Sequence, residues 1–247
     1  MEQPPLLVLG VRFDVITLPV AEDRIARWFS EPSSRLVVTP NPETVMLARR
    51  DSALARALAA ADLSVPDGVG IVWAARRLGH PLPARVPGIE LAQAALQRAA
   101  LMGVPVFLVG GRPQVAAEAA ARCQARWPAL VVAGHHHGYF TAAEEPGMVA
   151  AIATSGARLV LVGMGTPRQE LFAQGLRREP GGRVVMTVGG TLDVWSGRAR
   201  RAPPLVRRAG LEWLYRAVRE PRRLGRLAAL PRFAWAIFDS TLRQHTP

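Results

Sequence analysis

Lysine is absent from this chain, so all 31 of its basic side chains are arginines. That preference reads as codon bias in a GC-rich genome, which does not account for the excess of positive charge. Cysteine occurs once, as Cys123 in an alanine-rich helical stretch, which excludes an internal disulfide and argues against cysteine chemistry. No apolar run is long enough to span a bilayer, and Met1-Glu2-Gln3-Pro4-Pro5 lacks the basic start of a signal peptide, so the expected location is the cytoplasm. No Asp-x-Asp pair is present to hold a metal, and no G-x-G-x-x-G follows the first strand, which argues against a dehydrogenase.

What is present is a hydrophobic fraction of 49%, ample for a buried core, and a net charge of +12. The charge is uneven. From Arg198 onward twelve arginines face only Glu212, Glu220 and Asp239, a local balance of +9. The chain therefore divides into residues 1–195, an apolar core region, and residues 196–247, a basic appendage. In the latter, Leu205 to Arg219 and Leu224 to Leu242 have helical spacing broken by Pro221 and Pro231. Leu211, Trp213, Leu214, Trp235 and Phe238 interleave with arginines there, the pattern of a helix lying at an anionic membrane surface. Ordinary packing of this tail on the core, with its arginines solvated, is the alternative.

The core region repeats one pattern, an apolar strand running into a turn and then a helix. Leu159-Val160-Leu161-Val162 runs into Gly163-Met164-Gly165, after which Thr166 is placed as N-cap, Pro167 as the first helical residue and Gln169 as the partner of a capping box. A helix start of this kind suits an anion such as a diphosphate, though a tight turn and a cap explain the stretch equally well. Leu36 to Thr39 leads to Asn41-Pro42, a ready cap and helix start, with Thr39 and Asn41 alternatively facing a ligand. Leu63-Ser64-Val65 leads to Pro66-Asp67-Gly68, where the Asp67 carboxylate fits either a helix cap or a base taking a proton from a sugar hydroxyl. Pro105 to Val109 runs into Gly110-Gly111, and Val184 to Val188 into Gly189-Gly190. Val131 to Gly134 is followed by His135-His136-His137, three adjacent side chains that cannot all meet one ion and read as a polar loop.

Strands alternating with helices of this length predict parallel βαβ units and a Rossmann-like α/β sandwich, a parallel sheet flanked by helices. The carboxyl ends of parallel strands share one edge, so Thr39, Asn41, Asp67, Gly110, Gly111, Gly163, Gly165 and Gly189 are expected to converge on one ligand cleft. The core offers few cations to such a cleft, which turns attention to the arginines of the tail.

Taken together, these blocks resemble the WecG/TagA/CpsF family of bacterial glycosyltransferases over nearly the whole chain. They are Thr39-Pro40-Asn41-Pro42-Glu43, Pro66-Asp67-Gly68-Val69-Gly70, Arg85-Val86-Pro87-Gly88, Gly110-Gly111, Gly163 to Glu170, Gly189 to Asp193, Arg201-Ala202-Pro203, Gly210 to Arg216 and Glu220 to Arg223. The resemblance implies an inverting transfer of a sugar, most commonly N-acetylmannosamine from its UDP form, onto a polyprenyl-diphosphate-linked saccharide at the cytoplasmic membrane face. It implies Asp67 as catalytic base and Thr39, Asn41, Gln169 and Glu170 as substrate ligands beside the glycine turns. Arg85, Arg201, Arg216 and Arg222 would meet phosphate. No cofactor, metal or nucleic acid is expected, and a homo-oligomer is left open. Glu90 after Ile89, where an Asp is expected, and the small pair Gly190-Thr191 depart from the family pattern, with a bearing on sugar choice rather than on the chemistry. The rival class, a basic protein binding membrane or nucleic acid on a nucleotide-binding core, draws on the pI near 11.5 but lacks an RNA-binding signature.

Overall fold

The computed structural model describes residues 3–208, 212, 214, 215 and 229–244. A two-stranded antiparallel hairpin opens the chain, β1 (Leu6–Val8) and β2 (Val11–Phe13), joined by Leu9 and Gly10, both at positive φ. After α1 (Leu18–Trp28) come β3 (Arg35–Val38), α2 (Pro42–Ala48), α3 (Ser52–Ala59), β4 (Leu63–Ser64), α4 (Val69–Arg77) and α5 (Gly88–Leu101). Then follow β5 (Val106–Gly110), α6 (Val115–Arg126), β6 (Val132–His136), α7 (Glu145–Thr154), β7 (Leu159–Gly163), α8 (Arg168–Arg178), β8 (Val184–Thr187) and α9 (Thr191–Trp195). Of the tail, α10 (Pro204–Arg208) and α11 (Ala229–Gln244) are described.

β3 to β8 form a six-stranded sheet in the order β4-β3-β8-β7-β5-β6, and every pairing is parallel. The sheet is covered on both faces, as an all-parallel sheet must be. Leu159 and Leu161 of β7 pack with α1, α5 and α6, whereas Val160 and Val162 pack with α2, α3, α4 and α8. β5 divides in the same way, Val106 and Leu108 to one layer and Phe107 and Val109 to the other. Each fully buried aliphatic side chain of this kind contributes about 1.5–3 kcal/mol, so the two layers together hold the sheet. The fold is the expected Rossmann-like one.

Three local expectations are corrected. The head of α8 is not capped by Thr166: the cap position is Pro167, joined to Thr166 by a cis peptide, and α8 has no side-chain cap. The Thr166 hydroxyl donates to the Glu170 carboxylate instead, at 3.1 Å, and Gln169 makes no capping box because its amide accepts from the Gly189 N–H at 3.0 Å. His135 and His136 are not loop residues but the last two of β6, paired in register with Leu108 and Val109. Parallel pairing with β5 carries β6 two residues past its apolar run.

Candidate active site

All six parallel strands end on one edge of the sheet, and the turns that follow them enclose a cleft of about 1290 Å³. Thr39, Asn41, Asp67, Arg85, Gly111, Gly163, Gly165 and Gln169 line it, drawn from the turns after β3, β4, β5 and β7, the loop before α5 and the head of α8. This position follows from topology, since the carboxyl ends of parallel strands are where an α/β sheet leaves room for a ligand.

Each side chain is placed by a local device. Asn41 caps α2, its Oδ1 accepting from the Thr44 N–H at 3.0 Å and the Thr44 hydroxyl at 3.2 Å, which leaves Nδ2 as the amide atom to offer a ligand. Thr39 is wedged by its neighbours: its hydroxyl approaches the Thr187 carbonyl at 3.4 Å, and a Cβ on Gly88 would lie 2.9 Å from that hydroxyl oxygen. The cap position of α4 is Gly68 at φ +97, not Asp67, and that helix has no side-chain cap. The loop carrying Arg85 is drawn to Asp67 through the Val86 N–H, which donates to the Pro66 carbonyl at 2.9 Å.

The glycine expectations separate into two roles. Gly110 does not line the cleft; a Cβ there would stand 2.2 Å from the Gly163 carbonyl oxygen, so Gly110 lets the ends of β5 and β7 close against each other. The Gly111 N–H then donates to that same carbonyl at 2.9 Å, and the Gly138 N–H to the Gly111 carbonyl at 2.8 Å. Gly111, Gly163 and Gly165 reach the cleft as expected. Glu170, expected as a substrate ligand, is buried behind Gln169 and does not line the cleft.

Of the expected phosphate ligands, Arg85 lines the cleft and Arg201 does not. Arg201 pairs with Glu90 at 2.5 Å and faces Glu212 at 3.8 Å, tying the start of the tail to α5. Arg216 and Arg222 lie outside the described residues. Three core arginines face the cleft, Arg85, Arg112 and Arg168, joined by Arg198 and Arg200 at the base of the tail. The core is thus better supplied with cations than its sequence implied. The unforeseen Arg168 is held in place by donation to the Phe140 carbonyl and by stacking 4.5 Å from the Phe140 ring centre. Tyr139 stands exposed at the rim beside Gly138. In the sequence, only the aromatic pair Tyr139-Phe140 directly after Gly138 marks this turn.

The cleft combines one carboxylate on a strand-to-helix turn, neutral amide and hydroxyl groups, and several guanidinium forks suited to phosphate oxygens. Residues 6–247 match the model of the Glycosyl transferase WecG/TagA/CpsF family. The chain belongs to that family. It is a glycosyltransferase. A relative from Staphylococcus aureus (strain MRSA252) is 37% identical over 232 residues, covering 93% of this chain and 91% of its own length. That relative is named N-acetylglucosaminyldiphosphoundecaprenol N-acetyl-beta-D-mannosaminyltransferase.

Proposed function

We propose that this transferase moves N-acetylmannosamine, or a closely related hexose, from its UDP form onto a polyprenyl-diphosphate-linked saccharide in cell-surface polymer synthesis, with inversion at the anomeric carbon. The observation that carries the reading is the meeting of Asp67 with Arg85 and Gln169 in one cleft at the sheet edge, in a chain 37% identical to a mannosaminyltransferase. Inversion by single displacement needs one base for the acceptor hydroxyl and a counter-charge for the departing diphosphate. Asp67 takes the first role. The Asp67 carboxylate accepts the hydroxyl proton as the acceptor oxygen bonds to the anomeric carbon, and the bond to the UDP oxygen breaks with its electron pair. Arg85 and the cleft arginines Arg112 and Arg168 take the second role through their guanidinium groups. Thr39, Asn41 and Gln169 orient the sugars.

Residues 196–247 act in this reading as an appendage that brings the cleft to the anionic inner face of the cell membrane. Among the described residues no helix is long and apolar enough to cross a bilayer. Leu205, Trp235 and Leu242 are nonetheless exposed, at 78%, 76% and 69%, and belong to a segment rich in arginine. An amphipathic surface contact uses both features.

The test is transfer from a panel of UDP-sugars to a short-chain prenyl-diphosphate disaccharide, with Asp67→Asn beside the wild type. Turnover is expected with UDP-N-acetylmannosamine. The Asn variant, folded and binding UDP as before, is expected to lose about 10²–10⁴-fold in kcat. Normal turnover in that variant removes Asp67 from the chemistry, and turnover with none of the panel removes the donor class.

A further inference from the structure

Glu170 is 3% exposed and lies one residue beyond Gln169 at the head of α8. Its Oε1 accepts from the Gln169 Nε2 at 2.7 Å and from the Thr166 hydroxyl at 3.1 Å, while its Oε2 is buried with no hydrogen-bond partner among the described residues. On the other side of the amide, Gln169 Oε1 accepts from the Gly189 N–H at 3.0 Å. A backbone N–H can only donate, so the oxygen of the Gln169 amide must face Gly189 and its nitrogen must face the carboxyl of Glu170. The chain of contacts runs from Thr166 through Glu170 and Gln169 to Gly189, and it joins the turn after β7 to the turn after β8. Thr166, Gln169 and Gly189 line the cleft, and Glu170 does not.

We propose that Glu170 is a positioning residue of the transferase: it holds the Gln169 carboxamide in one orientation and through it pins the Gly189 turn to the head of α8. This deepens the transferase reading above and rests on it. A buried side chain with a polar atom left unpartnered costs free energy, so its place here calls for a return. That return is the fixed direction of the Gln169 Nε2, whose second N–H is the group the cleft can use once the first is held by Glu170. Burial raises the pKa of the Glu170 carboxyl above its ordinary value, against the lowering effect of the hydrogen bonds it receives. Burial and the hydrogen bonds from Gln169, its own backbone N–H and Thr166 shift it, with no cation among the causes. A neutral acceptor of the same shape is enough for the role.

Glu170→Gln keeps shape and acceptor; Glu170→Met keeps only shape. In the full-length enzyme, Glu170→Met is expected to lower kcat about 10²-fold, the scale of a misplaced positioning group, with a much smaller change in the KM for the donor. Glu170→Gln is expected to retain most of the turnover. Because Glu170 acts through Gln169, Glu170→Met added to Gln169→Ala is expected to cost nothing further. Hydrogen exchange supplies a readout independent of turnover: the Gly189 amide is expected to lose protection in Glu170→Met and to keep it in Glu170→Gln. A folded Gln variant as impaired as the Met variant, or losses that multiply in the double variant, overturns the proposal by making the carboxylate a direct participant. Unchanged Gly189 protection in Glu170→Met overturns it as well, even if the wild type transfers none of the sugars and the transferase reading has failed. If the Met variant does not fold, the Gln variant decides alone, and loss of its turnover or of its Gly189 protection overturns the proposal.

Discussion

Asp62 lies at the amino edge of the sheet, opposite the cleft, one residue before β4. It is held by Arg177, whose Nε and Nη2 donate to its two oxygens at 2.7 and 2.9 Å, and by the Leu36 N–H at 2.7 Å. Burial works to raise its pKa, but the bonds from Arg177 and Leu36 and the charges of Arg177 and Arg35 outweigh it, and the carboxyl is held below its usual 3.8. A depressed carboxyl stabilises the folded state fully above its unfolded pKa and loses that contribution as pH falls through the folded one. Asp62→Asn is therefore expected to be less stable than the wild type at pH 7, and the gap between the two is expected to narrow below about pH 4. Urea unfolding at a series of pH values reads this, and a gap constant to pH 2.5 would remove Asp62 from the acid limb. At the other edge, the Asn41 cap commits only one atom of its amide, Oδ1, to the head of α2.

Helix α11 shows what an element adds. Phe233 and Ile237, one turn apart, are buried against the layer formed by α2, α3, α4 and α8, and Phe238 meets Trp73 of α4 edge-on at 5.8 Å between ring centres. Arg77 stacks over Phe238 at 5.2 Å. The opposite face carries Trp235 and Leu242 into solvent. These faces have different expected consequences. Ile237→Ala is expected to cost about 2–5 kcal/mol of stability, as emptying a buried aliphatic site does. Trp235→Ala is expected to change stability by no more than about 0.5 kcal/mol while weakening binding to anionic liposomes. Thermal unfolding and liposome flotation measured on both variants separate the faces, and equal flotation of wild type and Trp235→Ala would deny that face a membrane role.

For the whole molecule, the tail's local +9 predicts that binding to phosphatidylglycerol vesicles weakens steeply with salt, since each arginine near such a surface contributes about 1 kcal/mol and is screened within a Debye length. Binding that persists at high salt would place the apolar face ahead of the charge. A truncation ending at Trp195 is expected to lose flotation, and it also removes Arg198 and Arg200 from the cleft rim. With a soluble short-chain acceptor, the truncated protein is expected to turn over slowly even where no membrane is needed; turnover as fast as the full chain would confine the tail to anchoring. Turnover is also expected to survive EDTA, because the sequence lacks an Asp-x-Asp pair, and loss of activity restored by Mg²⁺ would reverse that expectation.

The amino-acid sequence by itself determined the fold class and the edge on which the cleft lies. Buried runs such as Leu159 to Val162, each followed by a turn and a helix, leave a parallel sheet as the economical way to bury both faces, and a parallel sheet gathers its carboxyl-end turns. It also located Asn41 as a cap, because a cap is a contact between near neighbours in sequence. What only the tertiary structure decided are contacts across large sequence separations. Glu170 was legible as a polar neighbour of Gln169, but not as a buried support, because its burial depends on the turn after β8 coming to rest against α8. Only the fold gives Arg168 its stacking partner Phe140 and Arg201 its carboxylate partner Glu90. Local pattern encodes which element forms and where it ends. Which charges meet is set by chain segments tens of residues apart, and that is settled only when the sheet brings them together.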